Sequence, residues 1–224
     1  MSLNSSPTLK IAIDGPAGAG KSTVAREIAR RLNLKYLDTG AMYRAITLKL
    51  LRRNISLEDR PAVEAILEQT AIDFTEKQGV LLDGEDVTAE IRKPYINQAV
   101  SPVSCLPEVR RRLVGMQQAI AARSPGIVMD GRDIGTRVIP DADYKFYLDA
   151  ALSERARRRL QEQRERGVTL SQNAVETEIG ERDRIDSQRA DSPLTIAADA
   201  AVIDTTALSF EEVVARILTA VRKA

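Results

Sequence analysis

The 224-residue sequence predicts an α/β fold: a parallel sheet flanked by helices, with a small antiparallel sheet inserted into it. Three observations predict it. Short apolar runs ending in a carboxylate alternate with segments whose apolar residues recur at helical spacing, the pattern of strand–helix–strand units. A glycine-rich loop separates the first such run from the first helix. Between residues 71 and 91 the texture changes to brief strand-like runs broken by turn signals, which reads as an antiparallel meander.

Each element has a local reason. Residues 10–14 form a buried strand that Gly15 to Gly20 interrupts, and residues 21–32 are helical, with Val24, Ala25, Ile28, Ala29 and Leu32 on one stripe. Residues 34–37 are a second strand. Asp38-Thr39-Gly40 follows, then a helix over residues 41–53. Ser56 with Asp59 three residues on predicts a cap for a helix over 62–70. The meander comprises 72–75, 80–82 and 86–88, with turns at Lys77-Gln78-Gly79 and Asp83-Gly84. Pro107 suits the first turn of a helix reaching Arg123. Residues 127–130 and 144–148 are strands. Charged helices over 153–167 and 175–189 follow, then a strand over 200–204, and Ser209 with Glu212 makes a capping box for the last helix.

Composition narrows the chemistry. There is no His, so no Ser-His-Asp triad, Cys-His pair or His-ligated zinc. The single Cys105 can close no internal disulfide and reads as a small buried hydrophobe. That fits a reducing, cytoplasmic setting. Lys plus Arg total 33 against 32 Asp plus Glu, a net charge of +1, which argues against a nucleic-acid partner. No apolar run reaches the ~18 residues of a membrane span. The cations are 25 Arg and only 8 Lys. One domain over residues 1–224, acting as a monomer, is the expectation from length.

Gly15-Pro16-Ala17-Gly18-Ala19-Gly20-Lys21-Ser22 matches G-x-x-x-x-G-K-[ST] and lies between a strand and a helix, the context this loop requires. Its glycines turn backbone N–H groups toward phosphate oxygens, and the helix presents its positive end. Lys21 would neutralise the β- and γ-phosphates, the Ser22 hydroxyl would bind Mg²⁺, and Thr23 completes the ATP-binding stretch. Asp130 ends an apolar strand. It reads either as the second, water-mediated Mg²⁺ group or as a strand-end turn residue. No N-K-x-D base-reading motif of a switch GTPase is present. Several Arg lie beside Gly or Asp at element ends, where a small kinase would hold an anionic acceptor: Arg44, Arg132, Arg182, Arg184 and Arg189.

With these residues the chain resembles the bacterial cytidylate kinases. The match is carried by the phosphate loop, Leu37-Asp38-Thr39-Gly40-Ala41-Met42-Tyr43-Arg44, Gly84-Glu85-Asp86-Val87-Thr88 with Glu90-Ile91-Arg92, Asp130-Gly131-Arg132-Asp133-Ile134-Gly135-Thr136, and Glu181-Arg182-Asp183-Arg184. It runs in order from about Ile11 to the end of the sequence. The resemblance implies a P-loop kinase fold, with residues 40–104 as an inserted monophosphate-binding region containing the antiparallel sheet, and residues 152–170 as a short helical lid. It implies transfer of a phosphoryl group from ATP to CMP or dCMP.

Residue by residue, the resemblance implies that Arg44, Arg132 and Arg189 hold the acceptor phosphate. Ser101, Arg110 and Asp133 would read cytosine, Arg182 and Asp186 would contact the sugar, and Thr39 would retain the hydroxyl of the family's D-[ST]-G turn. An acceptor carboxylate favours the cytosine amine and repels the uracil carbonyl, and sites built this way can discriminate by up to ~10⁴–10⁵. Of the lid arginines Arg155, Arg157, Arg158, Arg159 and Arg164, one or two would reach the phosphates; Arg158 and Arg184 are the expected catalytic cations beside Lys21, Arg132 and Arg189. On their residues alone, Arg110, Arg111 and Arg112 read as surface charges. The rival acceptors are UMP and AMP; a rival of another class is a nucleotide-dependent regulatory or nucleic-acid-binding module.

Overall fold

The structure, a computed structural model, describes residues 9–165 and 171–222. The chain divides into two compact units, Met1–Leu37 with Ala121–Ala224, and Asp38–Ile120. Part of the expected lid, residues 166–170, lies outside the described residues.

The first unit is built on a five-stranded sheet of β1 (Leu9–Asp14), β2 (Lys35–Asp38), β6 (Gly126–Asp130), β7 (Tyr144–Asp149) and β8 (Ala201–Asp204), in the order β2-β6-β1-β7-β8. β1 pairs in parallel with β6 and β7, and β7 with β8. Strands covered on both faces need no polar alternation, which is why β1 runs Ile11-Ala12-Ile13, all buried. Helix α1 (Lys21–Leu32) lays Val24, Ala25, Ile28 and Ala29 against the sheet. α8 (Phe210–Arg222) adds Val213, Val214, Ile217 and Leu218 to the same core. Its capping box forms as the sequence predicts: Ser209 Oγ and N–H both donate to Glu212 Oε2, and Glu212 N–H donates back to Ser209 Oγ at 3.3 Å. A second core joins α6 (Leu152–Glu165) to α7 (Gln172–Gln188) through Ala156, Leu160, Val175 and Ile179, with Ala17 of the glycine loop. α7 starts three residues earlier than the periodicity predicts, because Ser171 caps it by accepting Ala174 N–H.

The second unit holds α2 (Thr39–Arg52), capped by Asp38, which accepts Ala41 N–H at 2.9 Å. It also holds α3 (Arg60–Glu68), α4 (Pro94–Ser104), most of α5 (Pro107–Arg123), and an antiparallel sheet of β3 (Ile72–Phe74), β4 (Val80–Leu82) and β5 (Glu85–Asp86). Three local expectations are corrected here. The cap of α3 is Asp59, accepting Ala62 N–H at 3.1 Å; the Ser56 hydroxyl is spent on Glu58. The third meander strand is Glu85–Asp86 rather than 86–88, because Asp86 Oδ1 takes the Thr88 N–H and turns the chain. Cys105 is half-buried at the end of α4 rather than in the core.

Three elements among the described residues are additional to the predicted set, the first a 3₁₀ turn over Glu90–Arg92. α4 contains Pro94 in its first turn and Pro102 near its end, and is held by Ile96, Val100 and Val103 on one buried stripe. A five-residue turn of π geometry spans Ile134–Val138. Ser209→Ala should cost about 1 kcal/mol of stability, the worth of an N-cap, read from urea unfolding; an unchanged midpoint would show that α8 is held by packing alone.

Candidate active site

The glycine loop is constrained at both ends. Gly15 has φ +144°, and a Cβ there would stand 2.0 Å from the Leu148 carbonyl oxygen of β7, so only glycine fits. Gly18 and Gly20 also have positive φ. Lys21 opens α1 with its side chain buried, and its Nζ donates to the Pro16 carbonyl at 2.6 Å, folding back under the loop. Burial, and then the positive charge of Arg132, push the Lys21 amine well below its ordinary value, against the pull of Asp130 and Asp14. Ser22 Oγ donates to Asp130 Oδ2 at 2.7 Å, and Tyr36 donates its hydroxyl to Asp130 Oδ1 at 2.7 Å. Thr23 is exposed.

The register sets what faces this loop. Ile13 pairs with Asp130 across β1 and β6, so the two strands end level. Ligands of open parallel sheets bind beyond such strand ends. Beyond β6 comes Gly131-Arg132-Asp133 and the π turn. Arg132 Nε donates to Asp186 Oδ2 of α7 at 2.7 Å. Arg189, at the end of α7, lies 3.4 Å from Asp186 and 3.7 Å from Asp133, and its Nε donates to Ser192 O at 2.7 Å. Burial alone would raise the Asp186 carboxyl, but Arg132, Arg182 and Arg189 together hold it below its usual value. Burial would lower Arg132, yet Asp186, Asp183 and Asp130 keep it above its usual range. Arg182 is brought down to about 10 by burial and by Arg132. Its Nε is buried with no hydrogen-bond partner among the described residues.

Two further residues hold the loop: Asp183, to which the sequence reading gives no role, and Arg155, which it names only among the lid candidates. Ala17 N–H donates to Asp183 Oδ1 at 3.0 Å, while Arg155 Nη1 donates to the Ala17 carbonyl at 2.9 Å and pairs with Asp183 Oδ2. Arg155 Nε also donates to Ala150 O at 2.9 Å. Of the other cations on α6 and α7, Arg158 is engaged by Glu154 and by Thr205, whose carbonyl accepts at 2.6 Å. Arg184 is exposed and paired with Glu181 and Gln188. Asp14 is the second residue to which the sequence reading gives no role. It is buried, and accepts the Ile134 and Gly135 N–H groups at 2.9 and 2.8 Å. Its signal was visible, since it ends an apolar strand as Asp130 does.

The second unit carries its own candidates. Thr39 is buried in the first turn of α2. Arg44 is buried, with Nη1 donating to Asn97 Oδ1 and to Ile91 O at 3.3 Å. Arg110 is 1% exposed, against the plain reading of surface charge. Its guanidinium lies over the Tyr43 ring at 5.7 Å and donates to Ser104 O at 3.3 Å. Ser101 is half-buried on α4, and its carbonyl accepts from Ser104 Oγ at 2.8 Å.

The hydroxyl of Ser22 and the carboxylate of Asp130 form a hard-oxygen pair that fits Mg²⁺. Among the described residues no group of three or more His, Cys, Asp or Glu is placed to hold a metal ion. Among the described residues, no helix is long and apolar enough to cross a membrane.

A family model described as cytidylate kinase matches residues 11–223. The chain is similar to the cytidylate kinase of Caldanaerobacter subterraneus subsp. tengcongensis, 56% identical over 216 residues covering 96% of each chain. It is also similar to that of Pelotomaculum thermopropionicum, 50% identical over 220 residues, again 96% of each. Among solved structures, a shikimate kinase from Acinetobacter baumannii in complex with shikimate has TM-score 0.51 at 15% identity, covering 97% of this chain and 95% of that one. A gluconokinase from Sinorhizobium meliloti has TM-score 0.51 at 13% identity, covering 96% and 93%. These two establish the fold and nothing finer.

Burial raises the Asp14 carboxyl to about 6 from its ordinary 3.8, with the two N–H bonds opposing. Between those values the folded protein holds a proton that the unfolded chain has released. The contribution of this group is therefore full below the lower value and falls as pH rises through the upper one, by about 3 kcal/mol in all. The stability of the wild type relative to Asp14→Asn, from urea unfolding, should fall between about pH 4.5 and about pH 7; a rise would contradict it.

Proposed function

The chain belongs to the cytidylate kinase family, and from that premise we propose how its residues carry the reaction. The protein is an ATP-dependent phosphotransferase that moves the γ-phosphoryl group of ATP to CMP or dCMP, giving ADP and CDP or dCDP. One observation supports the site best. In the first unit the protons of both Lys21 and Arg182 are loosened by burial and by Arg132, although Asp14, Asp130, Asp183 and Asp186 stand among them. Burial penalises a lone charge of either sign; the share of the shifts that comes from Arg132 acting on both cations is the share that an arriving anion relieves.

On this reading the loop from Gly15 to Thr23 takes the ATP phosphates, with Lys21 on the β- and γ-oxygens. Ser22 directly, and Asp130 through water, would hold Mg²⁺, which supplies neutralisation of phosphate charge when bound. Arg132 and Arg189 take the acceptor phosphate, as does Arg44 of the second unit; planar guanidinium forks match phosphate oxygens. Asp133 accepts from the cytosine amine, with Ser101 and Arg110 also reading the base. Arg182 and Asp186 serve the sugar, and Thr39 offers its hydroxyl. Arg158 and Arg184 are the cations proposed to quench the charge of the transferring group, and each must leave Glu154 and Thr205, or Glu181 and Gln188, to do so.

No general base is required. A phosphate monoester has its second pKa near ~6 and arrives largely as a dianion. The work is to align two polyanions, cancel their repulsion and keep water out. A cytoplasmic monomer is part of the same proposal, in keeping with the single cysteine.

A coupled assay over the four nucleoside monophosphates tests the acceptor: CMP and dCMP should be turned over well ahead of UMP and AMP, and a preference for either rival would overturn it. Asp133→Ala should lower kcat/KM for CMP by about a hundredfold or more with ATP affinity within about twofold. Equal losses for both substrates would remove Asp133 from base reading.

A further inference from the structure

A loop that presents peptide N–H groups to a phosphate must satisfy its other peptide groups by separate means. At Ala17 the first unit does so with two side chains. Ala17 N–H donates to Asp183 Oδ1 of α7 at 3.0 Å, and the Ala17 carbonyl accepts from Arg155 Nη1 of α6 at 2.9 Å. Ala17 also packs in the small core of Ala156, Leu160, Val175 and Ile179. One residue of the glycine loop is thus held at its donor, its acceptor and its side chain. The two holding groups are fixed in turn. Arg155 Nη1 pairs with Asp183 Oδ2, and Arg155 Nε donates to the Ala150 carbonyl, just beyond β7, at 2.9 Å. Arg155 is 8% exposed. Helix α6 stands against the loop at this point: a Cβ on Gly18, whose φ is +78°, would lie 3.1 Å from both Cβ and the carbonyl oxygen of Arg155.

We propose that Arg155 is a positioning residue for ATP rather than a cation that reaches its phosphates: with Asp183 it clasps the Ala17 peptide and sets the shape of the glycine loop. This rests on the assignment of that loop to the ATP phosphates. Two features separate a clasp from a nearby charge. Nε and Nη1 of Arg155 serve three oxygens at once, those of Ala150, Ala17 and Asp183. A lysine keeps the positive charge but cannot span that set, because its ammonium is a single point on a flexible stem. The second feature is a sign. Neutralising Asp183 should, by charge alone, favour an arriving polyanion. In the clasp it releases Arg155 and weakens the hold on Ala17 N–H, and so disfavours ATP.

Calorimetric titration of the full chain with ATP alone and with CMP alone, for Arg155→Lys, Arg155→Ala, Asp183→Asn and Lys21→Ala, tests this. Arg155→Lys should raise the Kd for ATP about tenfold or more, nearly as far as Arg155→Ala, with the Kd for CMP within about threefold. Asp183→Asn should also raise the Kd for ATP. Combining Asp183→Asn with Arg155→Lys should add little to the worse single variant, because both act on one peptide. Arg155→Lys carries the test if the alanine variant does not fold. Wild-type ATP affinity in Arg155→Lys, or an unchanged or lower Kd for ATP in Asp183→Asn, overturns the proposal. So does a loss of CMP affinity in Arg155→Lys as large as the loss for ATP, which marks a general structural role. If Lys21→Ala weakens ATP while Arg155→Lys and Asp183→Asn do not, only the clasp fails. If Lys21→Ala leaves ATP affinity unchanged, the assignment of the loop fails and the clasp falls with it.

Discussion

Cations meant for a polyanion must be stored, before it arrives, beside groups that keep them charged without filling their place. In the first unit the buried arginines proposed to hold phosphate are paired with carboxylates. Asp186 holds Arg132 at 2.7 Å and Arg189 at 3.4 Å, and Asp183 holds Arg155. Removing one partner of such a low-exposure pair leaves a charge without compensation, which is far costlier than losing a surface ion pair. The constraint also bears on the choice of cation. Burial loosens the proton of Lys21, whereas Arg132 stays above its usual range in the same cluster. A guanidinium keeps its charge where an ammonium would lose it, and on the proposed assignment part of the excess of 25 Arg over 8 Lys serves the site.

The fold supplies the placement. Parallel pairing of β1 with β6, with Ile13 opposite Asp130, brings two loops off one sheet edge. Apolar packing of α1 and α8 fixes that edge. The smaller core of α6 and α7 includes Ala17 of the loop itself. Helix α7 therefore touches the glycine loop through Asp183 and the Arg132 loop through Asp186, three residues apart on one face.

Much of this is legible in the sequence, and for identifiable reasons. The phosphate loop, the five strands of the main sheet and the Ser209–Glu212 box are local patterns with local causes. What escapes reading depends on distant partners. Arg110 and Arg111 are adjacent and chemically identical, yet the first is buried over Tyr43 and the second has a side chain 69% exposed. Only the family resemblance singles out Arg110. Helix α4 hides behind Pro94 and Pro102, because its support is the burial of Ile96, Val100 and Val103 rather than propensity. Asp14 and Asp183 act on backbone N–H groups more than a hundred residues away in sequence, which no spacing rule can reach.

The central claim is that the acceptor is held chiefly by its phosphate, through stored guanidinium groups, with the base supplying choice rather than most of the affinity. Calorimetric titration of the intact protein with CMP and with cytidine addresses it directly. Charge-assisted hydrogen bonds of ~1.5–3 kcal/mol each predict that cytidine binds at least about a hundredfold more weakly than CMP. Cytidine binding within about tenfold of CMP would contradict the account.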